Sequence, residues 1–111
     1  ALAKMCGKRS IYTKMMERKE PAGAELLYEA VLQLRTKEEC AAFFADLCTV
    51  TELKSMAQRL VVAKMLCDRK VYSEIVNATG ASTATISRVN RSLIYGSDGY
   101  SGVFARMNAE K

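Results

Sequence analysis

Gly80-Ala-Ser-Thr-Ala-Thr-Ile-Ser-Arg-Val-Asn-Arg-Ser92 is the stretch on which the reading of this chain turns. Gly80 suits the left-handed backbone conformation that ends one helix sharply, because a residue with a Cβ resists it. Ser82 is then placed as the N-cap of a second helix, its hydroxyl accepting from a free backbone N–H. In that helix Ile86, Val89 and Leu93 recur at spacings of three and four and share one face. The opposite side presents Thr83, Ala84, Thr85, Ser87, Arg88 and Arg91. Just upstream, Tyr72-Ser-Glu-Ile-Val-Asn-Ala-Thr79 is a short amphipathic segment whose Ile75 and Val76 can meet the apolar face. Helix, glycine turn and helix is the order of a helix-turn-helix.

Small and hydroxylated side chains at a helix start allow close approach to the major groove. Hydroxyls there can bond base edges or phosphates, and a methyl can touch thymine. Arg88 and Arg91 lie one turn further on, where they would reach phosphate. The same Gly-Ala-Ser break also joins helices in proteins that never touch DNA. Two positions depart from the usual pattern: Thr79 stands where a large aliphatic residue is commoner, and Val76 where a small one is.

Charge favours the nucleic-acid reading. The 111 residues carry 17 Lys and Arg against 12 Asp and Glu, with no histidine. Residues 25–52 hold six acids against Arg35 and Lys37, whereas residues 53–106 hold eight bases against Asp68, Glu74 and Asp98. The basic half carries the turn motif, where phosphate attraction is useful. Residues 1–20 form a further basic tail with Lys4, Lys8, Arg9, Lys14, Arg18 and Lys19. It reads as a loosely held terminus, with an arm on the DNA backbone or on a partner subunit as the other option.

Length allows one domain with a modest core, here placed at residues 22–107 after Pro21. Cys40, Cys48 and Cys67 fall among apolar positions and Cys6 in the tail. They make neither a disulfide framework nor a CxxC pair, so no metal and no cofactor is expected, and the setting is a reducing cytoplasm. There is no secretory h-region and no apolar run of about 18 residues, so no membrane segment is expected. Without histidine, a nucleophile beside a base or a phosphate-binding glycine loop, catalysis is not expected.

Between Pro21 and Lys70 the pattern gives three helices and no strand, hence an all-α fold. Leu26, Leu27, Val31 and Leu34 mark the first, which is apolar on more than one side and needs covering, often by a second subunit. Thr36 with Glu39 has the capping-box spacing that starts the second, which carries Cys40, Ala41, Phe43, Phe44, Leu47 and Cys48. Thr49 with Glu52 repeats that spacing, Thr51 being the other candidate cap. The third helix then offers Leu53, Met56, Ala57, Leu60, Val61, Met65 and Leu66 as its buried rows. After the glycines of 96–102, Val103, Phe104 and Met107 can dock a last short helix.

Gln58-Arg59-Leu60, Tyr72-Ser-Glu-Ile75, Gly80 through Arg88, Asn90-Arg-Ser-Leu93 and Tyr95-Gly-Ser-Asp-Gly-Tyr100 together resemble the Trp repressor family, in particular its YerC/YecD-type branch. The resemblance covers roughly residues 22–106. It implies a Trp repressor-like helical bundle, an intertwined homodimer, and two recognition helices entering successive major grooves of double-stranded DNA about 34 Å apart. It further implies a sequence-specific transcriptional regulator, by analogy a repressor. A non-specific architectural or replication-linked DNA-binding protein and a helical interaction module are the alternatives.

By the same resemblance Arg59 and Arg88 match two arginines that flank bound tryptophan, and Ser92 a serine near the ligand's amino group. The residue after the second arginine is glycine in the tryptophan-binding member and Val89 here. A branched side chain there occupies space the ligand needs, so weak or absent L-tryptophan binding is expected. Arg59 and Arg88 would then contact phosphate or pair with acids such as Asp68. Any other effector is left open.

Overall fold

The computed structural model describes residues 20–110, and the basic tail and Cys6 lie outside them. Six helices follow in order: α1 Ala24–Val31, α2 Lys37–Leu47, α3 Val50–Cys67, α4 Tyr72–Thr79, α5 Thr83–Tyr95 and α6 Gly99–Ala109. No strand occurs among the described residues. The fold is all-α, as expected. Contacts divide the chain into two units, Ala1–Leu53 and Lys54–Lys111.

The helix starts follow local chemistry. Thr36 caps α2, its hydroxyl accepting from Glu39 N–H at 3.0 Å, while the Glu39 carboxylate accepts from Arg35 N–H at 2.9 Å. The reciprocal bond thus falls one residue ahead of the standard capping box. At α3 the box closes on Thr49: Glu52 N–H donates to Thr49 Oγ1 at 3.1 Å and Thr49 N–H to Glu52 Oε1 at 2.8 Å. The Thr49 backbone N–H first, and then the Thr49 side chain, hydrogen-bond to the Glu52 carboxylate and hold it below its usual range, since both favour the charged form. The choice between Thr49 and Thr51 therefore falls to Thr49.

α1 ends at Val31, three residues before the Leu34 that the apolar spacing assigned to it. Gln33 N–H and Leu34 N–H bond back to Ala30 and Val31 carbonyls, tightening the chain into a turn. In this first unit Ala24 is the one buried hydrophobic residue among those described. Phe43 and Phe44 meet edge to face at 5.5 Å on α2.

The second unit has a core. Val62, Ala63, Ile75, Ala81, Ile86, Val89 and Phe104 form one buried cluster, with Met65, Leu66, Tyr72, Val76, Leu93 and Tyr100 packed around it. This corrects the expected buried rows of α3. Leu53, Met56, Leu60 and Val61 are 39–49% exposed, and Val62 and Ala63 carry the burial instead. The helix is apolar on two sides, and within the chain only the side bearing Val62 and Ala63 belongs to the core cluster. Cys67, expected among apolar positions, is exposed at the helix end. Arg69, at φ 65, closes that end in the left-handed region, which is uncommon for a residue with a side chain.

On α6, Phe104 enters the cluster while Val103 and Met107 stay half-exposed. The Phe104 ring stacks on Tyr100 at 6.2 Å, and the Lys64 ammonium lies 5.8 Å from its centre. Gly96 ends α5 for a steric reason: a Cβ there would run into the backbone carbonyl of Ser92, to which Gly96 N–H donates.

Candidate nucleic-acid interface

α4 and α5 are joined by three residues, Gly80, Ala81 and Ser82. Gly80 has φ 73 and ψ 4, and its N–H donates to the Val76 carbonyl at 2.8 Å. Nothing lies within 4 Å of a Cβ built on it, so backbone conformation alone calls for glycine. Ala81 is buried in the core cluster and anchors the turn from below. Ser82 caps α5 by accepting from Thr85 N–H at 3.1 Å. Val71 cannot cap α4 with a side-chain acceptor, but its N–H donates to Glu74 Oε1 at 3.2 Å.

The faces of α5 divide cleanly. Ile86 and Val89 are buried on one side. Thr83, Ala84, Ser87, Arg88 and Arg91 are all exposed on the other. Their spacing of one, four, five and eight places them in a single stripe beginning at the helix N-terminus. Unpaired N–H groups of a first helical turn attract anions, which adds to the arginines. Thr85 stands apart from the stripe. It is half-buried, and Ser82 Oγ donates to its hydroxyl at 3.1 Å.

Arg59 on α3 and Ser92 on α5 are exposed. Among the described residues no ion pair engages Arg59, Arg88 or Arg91. Asp68, considered above as their partner, pairs instead at 3.0 Å with Lys64, four residues back in the last turn of α3. A groove of about 250 Å³ opens elsewhere, lined by Lys54, Ala57, Gln58, Val61, Ala78 and Thr79. It takes in none of Arg59, Arg88 and Ser92.

Sequence reasoning gave Gln58 and Thr79 no role. Gln58 Nε2–H donates to the Thr79 carbonyl at 3.1 Å, across 21 residues. The Thr79 hydroxyl donates to the Ile75 carbonyl at 2.7 Å and accepts from Ala81 N–H at 3.1 Å. The only sequence signal was the departure at Thr79 itself, a polar residue where packing is usual.

No helix among the described residues is long and apolar enough to cross a membrane. The profile of the family described as Trp repressor protein matches residues 22–108. The "Uncharacterized protein YerC" of Bacillus subtilis (strain 168) is 55% identical over 80 residues, covering 70% of this chain and 77% of that protein. The crystal structure of a TrpR like protein from Eubacterium eligens ATCC 27750 superposes with a TM-score of 0.76 at 50% identity, over 80% of this chain and 92% of that one. A putative Trp repressor from Staphylococcus aureus gives the same TM-score and identity, over 80% and 89% of the two chains. With its all-helical fold and a helix, turn and helix at residues 72–95, the chain belongs to the Trp repressor family.

Proposed function

We propose that this chain is a sequence-specific DNA-binding transcriptional regulator, a repressor, acting in the cytoplasm as a homodimer through residues 22–107. The observation that carries this reading is the division of α5. Ile86 and Val89 of its apolar face are buried in the core, while Thr83, Ala84, Ser87, Arg88 and Arg91 form an exposed stripe whose arginines have no ion-pair partner among the described residues. Thr83, Ala84 and Ser87 meet base edges, Arg88 and Arg91 meet phosphate, and Thr85 supports them through the cap. Arg59 adds a phosphate contact.

Dimerisation is supported by apolar surface that the single chain leaves open. Leu26 and Tyr28 on α1, Leu32 just after it, and Leu60 and Val61 on α3 are each 45–79% exposed. Faces of this extent mark association. A second copy covers them and places two α5 helices on one duplex.

L-tryptophan is not the effector in this reading. Val89 is only 2% exposed within the core cluster, so the space after Arg88 is filled by the protein itself. Isothermal titration with L-tryptophan is expected to show no binding heat, and a tight site would overturn this part.

The test is fluorescence anisotropy with a palindromic DNA selected from a random pool and with unselected DNA, across a salt series. Selective, salt-dependent binding is expected, and Arg88→Ala should reduce the salt slope by about one unit per contacting chain. Equal affinity for both DNAs would favour an architectural protein, and no binding at low salt would end the DNA reading.

A further inference from the structure

We propose that Gln58 is a positioning residue for α5, its side-chain amide latching the end of α4 and so fixing the turn that aims the exposed stripe. The proposal rests on the reading of that stripe as the DNA-contacting face.

The argument starts from the backbone. The last carbonyls of a helix lack intrahelical partners and must find others. At the end of α4 the Thr79 carbonyl finds one on α3, the Gln58 amide, at 3.1 Å in a partly buried setting. The Thr79 hydroxyl then bridges both ways, donating to the Ile75 carbonyl and accepting from Ala81 N–H within the turn. Gln58, Thr79 and Ala81 thus form one polar chain running from α3 across Gly80 to the residue before the α5 cap. Only Gly80 and Ala81 separate Thr79 from that cap, so a rotation at this point moves the whole of α5.

Packing does not do the same job. The groove of about 250 Å³ lies between α3 and the end of α4, and Gln58 and Thr79 are on its wall. With that space open, apolar contact leaves the end of α4 free to tilt. A hydrogen bond, being directional, sets its angle. This accounts for Thr79 in place of an aliphatic residue: its hydroxyl, bonded to the Ile75 carbonyl and the Ala81 N–H, replaces the missing side-chain volume as the means of locating the turn.

Gln58→Met tests the latch, since methionine has similar length, no donor and no charge. Thr79→Val is the second variant, keeping the shape of threonine and removing the bridge to Ala81. Both are measured by anisotropy on selected and unselected DNA, and by amide hydrogen exchange at Ala81 without DNA. Gln58→Met is expected to lose about fivefold in affinity for the selected DNA, the worth of one neutral hydrogen bond. Affinity for unselected DNA and the salt slope should hold, because phosphate contacts tolerate small changes of angle. Ala81 exchange should quicken in both variants while the global urea midpoint of Gln58→Met moves little. Wild-type selectivity and wild-type Ala81 exchange in Gln58→Met would overturn the proposal, as would equal losses on both DNAs. If the wild-type chain binds no DNA at all, the contact reading fails, and Ala81 exchange alone decides whether the latch exists.

Discussion

The two units of this chain meet water on opposite terms. Residues 54–110 enclose a cluster of seven buried residues drawn from α3, α4, the turn, α5 and α6. In residues 20–53 only Ala24 is buried among the described hydrophobics, while Leu26 of α1 and Leu32 at its C-cap are 71% and 79% exposed. One unit holds α4, the turn and α5 on a shared buried cluster. The other is a pair of helices whose apolar side chains, apart from Ala24, are half-buried or exposed among the described residues. The charge division parallels this, acidic in the first and basic in the second. On the function proposed above, DNA contact falls to the second unit, and association to the first together with Leu60 and Val61 of α3.

Core truncation should separate the two most sharply. Ile86→Ala removes a fully buried side chain, with an expected cost of about 2–5 kcal/mol in urea denaturation. Leu26→Ala would cost less than about 0.5 kcal/mol if α1 faced water. We expect about 2 kcal/mol instead, together with a melting temperature that rises with protein concentration, because folding is coupled to pairing. A concentration-independent melt with a negligible Leu26→Ala effect would break the comparison.

The glycines at the two ends of α5 sharpen it at a smaller scale. Gly80→Ala must hold a left-handed backbone in open space, at about 1–2 kcal/mol. Gly96→Ala must push the Ser92 carbonyl aside, and should cost more in the same denaturation series. The reverse order would mean that the end of α5 yields more easily than its start.

The smallest effect concerns the acidic unit. Glu52 has its folded-state pKa lowered by the Thr49 bonds, so its contribution is present above the unfolded pKa and fades as pH falls through the acid range. Glu52→Gln should therefore lower the urea midpoint slightly at neutral pH, and the difference should vanish on acidification. A difference that persists in acid would show that the amide fails as a cap for reasons other than charge.

Much of this was legible in the residues. Thr36 and Thr49, each followed three residues later by glutamate, announced two helix starts, and Gly80 with Ser82 announced the turn, because these signals act over one helical turn. The exposed stripe on α5 followed from Ile86 and Val89 claiming the other side. What stayed hidden depended on distance. No local pattern tells that Val62 and Ala63, rather than Leu60 and Val61, face the core, since both sides of α3 are apolar. The end of α1 at Val31 lacked any glycine or proline stop. The Gln58–Thr79 bond spans 21 residues, and neither partner carries a signal of the other.

The length of α5 sets a scale for what it can touch. Its 13 residues extend roughly 20 Å at about 1.5 Å per residue, against a major groove about 12 Å wide. A helix entering by its N-terminus therefore passes out of the groove before it ends. If α5 is the helix that enters the groove, as proposed above, Thr83 through Arg88 would fall within the span of the bases, Arg91 at the rim, and Ile94 and Tyr95 beyond the duplex edge. On that reading the far end of α5, 60–75% exposed at Ile94 and Tyr95, would protrude and stay accessible above bound DNA.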